Sequence, residues 1–385
     1  MSDRAGAALP ESLLSWTAYD GVPLLRTLAR AMCELERQGD LDRFKLPYPA
    51  VAQHALDRTA VVCLLHGEVP PASLTELVER CRETPLEDWP LRLPPDVVGP
   101  GDRLLDEQSG RPSELCHEWV DRAPDPALRH RDRQVIGAAL GLCRQYGEEQ
   151  AYTAFRSLLV RQPVLTAAGM FEVLGNMVLE PVHELVRLIY RPAPEAYQRD
   201  GSYRACGRCL TLLVPLGADE WWCERDRCRG LGTPPSGQVL EAADVGVVLQ
   251  LERSLRQFVT GPGRAEVELE RDLRALGLDV EMWPGCDAYD LLITFPDGHR
   301  WAVGVKDRAN PFFLGREARA VPQEPSYDKA FWVVPRHRVD RRPDYLAAFE
   351  RGRAESTAEL VLLTDTELVA RAARRLGGVK GTRGA

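Results

Sequence analysis

Two residues that could carry out phosphoryl chemistry stand at the ends of neighbouring apolar segments. Asp290 comes directly before Leu291–Phe295, and Lys306 comes directly after Trp301–Val305. The Asp-Gly pair between the segments predicts a β-hairpin, which would bring the carboxylate and the amine to the same end of a sheet. A carboxylate can hold a divalent metal, and a lysine can orient the attacking water and offset charge that develops on a phosphate. The pattern indicates phosphodiester hydrolysis, with a surface salt bridge as the simpler alternative.

A second carboxylate on the face that bears Lys306 would complete such a site, but the chain has a glycine there. Gly304 stands two residues before Lys306, on the same strand face. Asp307 cannot replace the missing acid directly, because neighbouring residues of a strand point to opposite sides. Three outcomes stay open: another acid supplies the carboxylate, weak catalysis persists with a water-rich metal shell, or the site is inactive and only binds nucleic acid.

Glu266 is the candidate for the other acid. The segment Arg264–Leu276 is predicted to be a helix, with Leu269 and Leu273 on its apolar face. Glu266 lies three residues before Leu269 and therefore belongs to that face. An acid on a buried face is costly unless it has a partner. The candidate catalytic set is therefore Glu266, Asp290 and Lys306, with Asp290 and Glu266 as ligands of Mg²⁺ or Mn²⁺.

Four of the ten cysteines form two close pairs, Cys206-x2-Cys209 and Cys223-x4-Cys228, with thirteen residues between the pairs. Pairs with this spacing can place four thiolates around one Zn²⁺. Such a zinc would be structural, because four thiolates leave no open coordination position for catalysis. Disulfides and four core cysteines are the alternatives.

Charge and composition bound the possible partners. The chain has 385 residues, 44% of them apolar, and a net charge of −8. The stretch from Arg300 to Arg342 is nevertheless basic, with ten Lys or Arg against five Asp or Glu. Such a bias suits phosphate contacts, although a solvated basic face would look the same. The candidate nucleic-acid-binding residues are Arg308, Arg316, Arg319, Arg336 and Arg338.

No apolar run is long enough to span a membrane, and the N-terminus lacks the features of a signal peptide. The expected location is therefore a cytoplasm, and the Arg-, Ala- and Leu-rich usage favours a bacterial one. The single histidines, such as His117, have no convincing partner ligands and are expected to be ordinary surface or core residues.

The coarse pattern is helical up to about residue 200 and mixed after it. The predicted N-terminal helices are Pro23–Arg37, Ala72–Glu83, Asp132–Tyr146, Glu149–Val160 and Phe171–Leu188, the last with a break at Pro181. A further helix is predicted over Val239–Phe258. The predicted strands of the C-terminal part are Leu278–Trp283, Leu291–Phe295, Trp301–Lys306, Phe331–Val334 and Leu360–Leu363.

These elements predict a multidomain α + α/β protein. The expected order is an N-terminal all-α scaffold or docking domain (1–200), a four-cysteine zinc ribbon (201–236), a C-terminal α/β core with a mixed sheet (237–375) and a flexible basic tail (376–385). Helix, strand, hairpin, strand, helix and strand is the order of a restriction-endonuclease-like core.

A family resemblance rests on particular residues. They are Pro262-Gly-Arg-Ala-Glu266, Trp283-Pro284, Asp287-Ala-Tyr-Asp-Leu291, and Trp301-Ala-Val-Gly-Val-Lys-Asp307 with Pro311 beyond. Through them, residues 245–345 resemble the restriction-endonuclease-fold subunit found alongside prokaryotic PIWI-RE proteins, within the wider PD-(D/E)xK class. The resemblance implies a restriction-endonuclease-like fold, a metal site that also uses the Val305 carbonyl, and a role in defence against invading DNA. It implies a PIWI-RE-type protein and a helicase as partners.

The sequence therefore predicts a metal-dependent DNA endonuclease subunit of a bacterial defence system, acting on DNA or an RNA–DNA hybrid. One alternative is a catalytically silent subunit of the same fold that binds DNA and recruits partners. A third alternative is a DNA-binding regulator built on the zinc ribbon. The lack of a recognisable recognition helix after the ribbon argues against it.

Overall fold

The computed structural model describes residues 19–38, 46–121, 131–217, 219–357 and 359–382. About half of the chain is helical, with helices in the N-terminal region and a mixed sheet in the C-terminal region. Both features confirm the coarse prediction from sequence. No helix in these residues is both long and apolar enough to cross a membrane.

The helices differ widely in length, from a single turn to 18 residues. They are α1 (Gly21–Gln38), α2 (Ala50–Leu65), α3 (Leu74–Glu83), α4 (Glu114–Asp121), α5 (Arg131–Tyr146), α6 (Glu149–Arg161), α7 (Ala167–Gly175), α8 (His183–Ile189), α9 (Asp226–Gly230), α10 (Ala242–Val245), α11 (Arg253–Leu255), α12 (Gly261–Ala275), the short turn α13 (Pro284–Asp287), α14 (Pro311–Arg316), α15 (Arg336–Arg341), α16 (Tyr345–Gly352) and α17 (Asp365–Thr382).

The strands are short. They are β1 (Val164–Thr166), β2 (Tyr190–Pro192), β3 (Ser202–Cys206), β4 (Val214–Leu216), β5 (Glu220–Trp222), β6 (Ser236–Glu241), β7 (Val248–Leu251), β8 (Asp279–Met282), β9 (Leu291–Thr294), β10 (Arg300–Val305), β11 (Lys329–Val334) and β12 (Val361–Thr364).

The chain forms two compact units, each made of several segments. The first contains the described residues of 1–129, 309–318 and 344–358, and the second contains the other described residues. In the first unit, α1 to α4 share a core with α14, where Trp119 and Phe313 meet edge to face at 4.8 Å. The Glu118 carboxylate accepts hydrogen bonds from the backbone N–H groups of Ala309 and Asn310. The contiguous domain boundaries expected from sequence stay a prediction.

The second unit is built around a five-stranded sheet in the order β12-β11-β10-β9-β8. β8, β9 and β10 are antiparallel neighbours, whereas β10, β11 and β12 run parallel. The hairpin between β9 and β10 turns at Gly298, whose φ of 82° lies in the left-handed region that glycine adopts without strain. The sheet therefore joins Asp290, before β9, to Lys306, after β10.

Helix α12 covers one face of this sheet. Its buried residues include Leu269 and Leu273, which pack with Val303 and Val305 of β10. Two glycines allow its first turn to approach other elements closely. A Cβ on Gly263 would lie 2.2 Å from Val160 of α6, and a Cβ on Gly261 would lie 2.3 Å from the Arg225 guanidinium. Both glycines therefore set how close α12 lies to its neighbours.

The prediction of a helix over Val239–Phe258 is wrong in its first half. The structure has β6, α10 and β7 there, and β7 is the centre of a small sheet between β1 and β2. Gly246, at φ 70°, interrupts the chain between α10 and β7. The segment forms a strand rather than a helix because β7 pairs with β1 and β2, and the spacing of residues along the sequence cannot show such distant partners.

Other differences concern element existence and ends. Helix α2, most of whose residues are apolar, is not among the predicted helices. The break at Pro181 is confirmed, since a 3₁₀ segment (Met177–Val182) separates α7 from α8. Helix α17 continues to Thr382, into the stretch for which a flexible tail was predicted, and residues 383–385 lie outside the described residues.

Gly263→Ala should destabilise the protein. The added methyl group meets Val160 in a packed contact, so we expect a loss of about 1–3 kcal/mol in the free energy of unfolding, measured by chemical denaturation. Gly141→Ala, at an open position in α5, is the matched control and should stabilise by about 0.4–1 kcal/mol. Equal effects of the two substitutions would contradict the close contact between α12 and α6.

Candidate active site and cysteine cluster

The Asp290 carboxylate is held by the backbone as well as by a side chain. Its Oδ2 accepts hydrogen bonds from the Val305 N–H at 2.6 Å and from the Lys306 Nζ at 3.1 Å. Asp290 is 8% exposed, and its Oδ1 has no hydrogen-bond partner within the described residues. The hairpin has therefore fixed one carboxylate oxygen and left the other with its lone pairs unused.

Lys306 is positioned by the sheet and by an aromatic ring. Its backbone N–H donates to the Val333 carbonyl at 2.7 Å, which continues the pairing between β10 and β11. Its ammonium group lies 5.4 Å from the centre of the Trp332 ring, within the range of a cation–π contact. Lys306 therefore lies between the Asp290 carboxylate and the Trp332 ring.

The space above Gly304 is occupied by these same groups. Gly304 pairs with Trp332 in the register of β10 and β11. A Cβ on Gly304 would lie 3.2 Å from Trp332 Cδ1 and 3.3 Å from Lys306 Nζ. A larger side chain at this position would have to displace the indole or the lysine. The glycine thus allows Lys306 to fold back over β10 towards Asp290, at the cost of the second carboxylate.

Glu266 is buried on the inner face of α12, as its position in the helix predicts. It is 2% exposed, its Oε2 accepts a hydrogen bond from the Trp283 indole N–H at 2.6 Å, and its Oε1 lies 3.5 Å from Arg156 Nη2. Burial, with the nearby negative charge of Asp290, raises the pKa of Glu266 to about 8, although Arg156 opposes the shift. Glu266 and Asp290 therefore interact through their charges, while the hydrogen-bonding partners of Glu266 are Trp283 and Arg156.

Arg156 is the residue of this site that the sequence analysis missed. Its guanidinium is 7% exposed and lies between two acids, Glu266 and Asp287, with its Nε 3.3 Å from Asp287 Oδ2. The Tyr152 hydroxyl donates to the same Asp287 oxygen at 2.8 Å. A sequence signal existed. Arg156 is a charged residue on the apolar face of α6, next to Phe155, in the same way that Glu266 interrupts the apolar face of α12.

The connection that carries Trp283 and Asp287 has an unusual backbone. Trp283, Gly285, Cys286 and Asp287 all have φ between 51° and 69°, and three of the four are not glycine. Left-handed conformations cost energy in such residues and persist only where the surroundings hold them. The turn directs the Trp283 indole towards Glu266 and the Asp287 carboxylate towards Arg156, so the strained segment builds the buried part of the site.

The residues present fit a divalent metal that is bound largely by water. Mg²⁺ takes one or two carboxylates and completes its shell with water. Asp290 Oδ1 offers one such oxygen. The negative charge of Asp290 helps to raise the pKa of Glu266, but the Glu266 oxygens are bound by Trp283 and Arg156. Val305 contributes its N–H to Asp290, and the use of its carbonyl as a ligand stays a prediction.

The four cysteines of the two pairs come together. Cys206, Cys209, Cys223 and Cys228 are buried, and their sulfur atoms lie within 4.8 Å of one another, which is a cluster that could hold a metal such as zinc. Cys206 ends β3, Cys223 follows β5 and Cys228 lies in α9. The backbone N–H groups of Arg208 and Arg225 donate to the sulfurs of Cys206 and Cys223, respectively. All ten cysteines are free thiols, so no disulfide competes with this arrangement.

Buried ion pairs connect the cysteine cluster to the end of β10. Arg225, two residues after Cys223, donates to Asp307 Oδ2 at 2.9 Å. Arg338 donates to the other oxygen of Asp307 at 2.6 Å, and both arginines are nearly inaccessible to solvent. Asp307 directly follows Lys306. The loop of the cysteine cluster therefore holds the residue next to the candidate catalytic lysine.

The predicted nucleic-acid-binding arginines have different environments. Arg338 is 3% exposed and belongs to the buried ion pairs, so its guanidinium offers no surface to a phosphate. Arg308 stacks its guanidinium on the Phe258 ring at 4.9 Å. Arg316, Arg319 and Arg336 are exposed, and Arg336 is paired with Asp340. The guanidinium groups at these three positions are therefore accessible to a phosphate.

Two protein families match this chain over separate segments. Residues 24–166 match the family described as pPIWI_RE three-gene island domain Y, and residues 263–380 match the family described as REase associating with pPIWI_RE. The second match contains Glu266, Asp290 and Lys306. The chain therefore resembles the nuclease-like subunit of the pPIWI-RE island, as the sequence predicted. No curated protein and no solved structure matches it.

The raised pKa of Glu266 makes stability depend on pH. Because folding raises this pKa from 4.5 to about 8, the folded protein binds the proton more tightly than the unfolded chain does. The stability of the wild-type protein relative to Glu266→Gln should therefore fall as pH rises from about 4.5 to 8, by at most ~1.4 kcal/mol per pH unit, and level off above. Chemical denaturation at several pH values, without added divalent metal, measures the difference. Glu281→Gln, at an exposed position of β8, is the control, and equal profiles for both variants would contradict the buried acid.

Proposed function

We propose that this chain is the metal-dependent DNA endonuclease subunit of a bacterial antiphage or antiplasmid defence system. In this proposal its C-terminal region has a restriction-endonuclease-like, PD-(D/E)xK-type fold. It works with a PIWI-RE-type protein and a helicase in the cytoplasm, on DNA or an RNA–DNA hybrid. The matches to both pPIWI_RE families support the assignment to this kind of complex.

The observation that carries the proposal is the state of the Asp290 carboxylate. A carboxylate in a purely structural salt bridge would direct its oxygens to its partners. Here both donors, the Val305 N–H and the Lys306 ammonium, bind the same oxygen, and Oδ1 is unused within the described residues. This arrangement fixes the orientation of a group that can bind a cation and places a lysine beside it.

Each residue then has a defined task. Asp290, helped by Glu266, would hold Mg²⁺ or Mn²⁺, which when bound polarises the phosphate and lowers the pKa of a water molecule. Lys306 orients the water and offsets negative charge on the phosphate. Arg156 and Trp283 fix the Glu266 carboxyl group, so that the buried acid keeps one orientation. The Trp332 ring limits the movement of the lysine.

The second candidate is a catalytically silent subunit that binds DNA and recruits partners. Two observations favour it. Gly304 takes the position of a second acid, and Glu266 is bound by Trp283 and Arg156 rather than directed into open space. In this reading the Asp290–Lys306 pair supports the hairpin, and the exposed arginines contact phosphates.

Cleavage by an Asp290 variant distinguishes the two candidates. Wild-type protein with Mg²⁺ or Mn²⁺, alone and with its partners, should cut DNA, and Asp290→Ala should lower the rate by about 100-fold or more. Asp272→Ala, at an exposed acid on α12, is the matched control and should retain full activity. Equal cleavage by wild type and Asp290→Ala would overturn the nuclease proposal. No cleavage by either, with DNA affinity retained, would favour the silent subunit.

The cysteine cluster should contain one zinc per chain. Metal analysis of the purified protein should show that zinc, and Cys223→Ser should lose it because one of four ligands is gone. Loss of the zinc should also lower the melting temperature, because the loop that the zinc would hold carries Arg225, which forms a buried ion pair with Asp307. Cys143→Ser, at a buried cysteine outside the cluster, is the control and should retain zinc. Loss of zinc without loss of stability would contradict the structural role.

A further inference from the structure

A cleft lined by arginines lies between the cysteine cluster and the start of α12. It has a volume of about 310 Å³, which is at the lower end of the range for ligand sites. Four of its lining residues are arginines and two are acids: Arg208, Arg225, Arg227, Arg264, Glu268 and Asp307. The nuclease-type site described above does not account for this concentration of guanidinium groups.

Three of the four arginines have partners within the protein. Arg225 is paired with Asp307, and Arg227 is paired with Glu268. Arg208 donates to backbone carbonyls, the nearest being that of Cys228 at 2.7 Å. These contacts build the walls of the cleft and neutralise its two acids.

Arg264 has no such partner. Within the described residues its guanidinium makes no ion pair or hydrogen bond, and its Nε is buried without an acceptor. A buried donor on a charged group is costly to leave unpaired. A guanidinium presents a planar array of N–H donors that suits the oxygens of a phosphate better than any neutral ligand.

We propose that this cleft binds a phosphate group of a nucleic acid strand, with Arg264 as its principal donor. This inference rests on the proposed function and identifies where the strand is held outside the Asp290 site. Arg208 adds a positive charge that bonds to backbone carbonyls and, among the described residues, is paired with no carboxylate. Asp307, which lines the cleft, directly follows Lys306, so the strand would be held beside the chain segment that carries the lysine.

A different task for Arg264 is to offset the charge of a zinc bound by four thiolates. Zinc with four thiolates carries a net charge of −2, and Cys209 and Cys228 also line the cleft. That task requires no ligand, and it predicts that removal of Arg264 weakens zinc retention rather than nucleic-acid binding. The two tasks of Arg264 can therefore be told apart by measuring nucleic-acid binding and zinc retention in the same variants.

The test measures binding in the Asp290→Ala background, where cleavage cannot interfere. Fluorescence anisotropy with a labelled single strand and a labelled duplex should show that Arg264→Ala weakens binding about tenfold or more, as expected for loss of charged hydrogen bonds. It should also reduce the salt dependence of binding by about one phosphate contact. Arg271→Ala, at an exposed arginine of the same helix, is the matched control and should bind as the background does. Arg264→Lys, which keeps the charge, should bind with intermediate affinity.

Three results would overturn the proposal. The first is equal binding by Arg264→Ala and Arg271→Ala, for the single strand and the duplex. The second is loss of zinc together with binding in Arg264→Ala, or in Arg264→Lys if the alanine variant does not fold, which would assign Arg264 to the thiolates. The third is Arg264-dependent binding of inorganic pyrophosphate without binding of the oligonucleotides, which would assign the cleft to a small anion. Because binding is measured without cleavage, failure here leaves the nuclease assay to be decided separately.

Discussion

Buried negative charge is the constraint on which the rest of the second unit depends. Three acids are largely shielded from water: Glu266 on α12, Asp287 in the strained turn and Asp290 directly before β9. Such charges must be paired or neutralised. Lys306 pairs with Asp290, and Arg156 pairs with both Asp287 and Glu266. The raised pKa of Glu266 also means that its carboxyl group binds a proton more tightly than an exposed glutamate does. The close approach of α12 to α6 at Gly263 belongs to the same arrangement, because it brings together the helices that carry Glu266 and Arg156.

The sequence predicted the parts of the site that local pattern determines. Alternation and an Asp-Gly turn located the hairpin, so Asp290 and Lys306 meet as expected, and cysteine spacing located the cluster. Helical phase placed Glu266 on a buried face. Arg156 was missed because its partners are more than 100 residues away, and spacing cannot show which helix packs on which. The prediction of a helix over 239–258 was wrong for the same reason, since β7 forms by pairing with β1 and β2, which lie far away in the sequence.

The cysteine cluster has a second consequence for the site. Its loop carries Arg225, and Arg225 with Arg338 holds Asp307 immediately after Lys306. Gly261 leaves the space through which the Arg225 side chain passes. A metal held by the four thiolates would therefore fix the end of β10 as well as the loop of the cysteine cluster. The four cysteines therefore help to position the nuclease-type site through Asp307, although their side chains are not part of it.

Direct location of a bound ion tests most directly whether Asp290 is a metal ligand. Crystals of the protein soaked in Mn²⁺ can be measured at a wavelength where manganese scatters anomalously. If Asp290 is a ligand, an anomalous peak should lie within bonding distance of Asp290 Oδ1, and no such peak should appear in the Asp290→Asn variant. A wild-type crystal at saturating Mn²⁺ with no ion at Asp290, and with Glu266 still bound to Trp283 and Arg156, would contradict this role of Asp290.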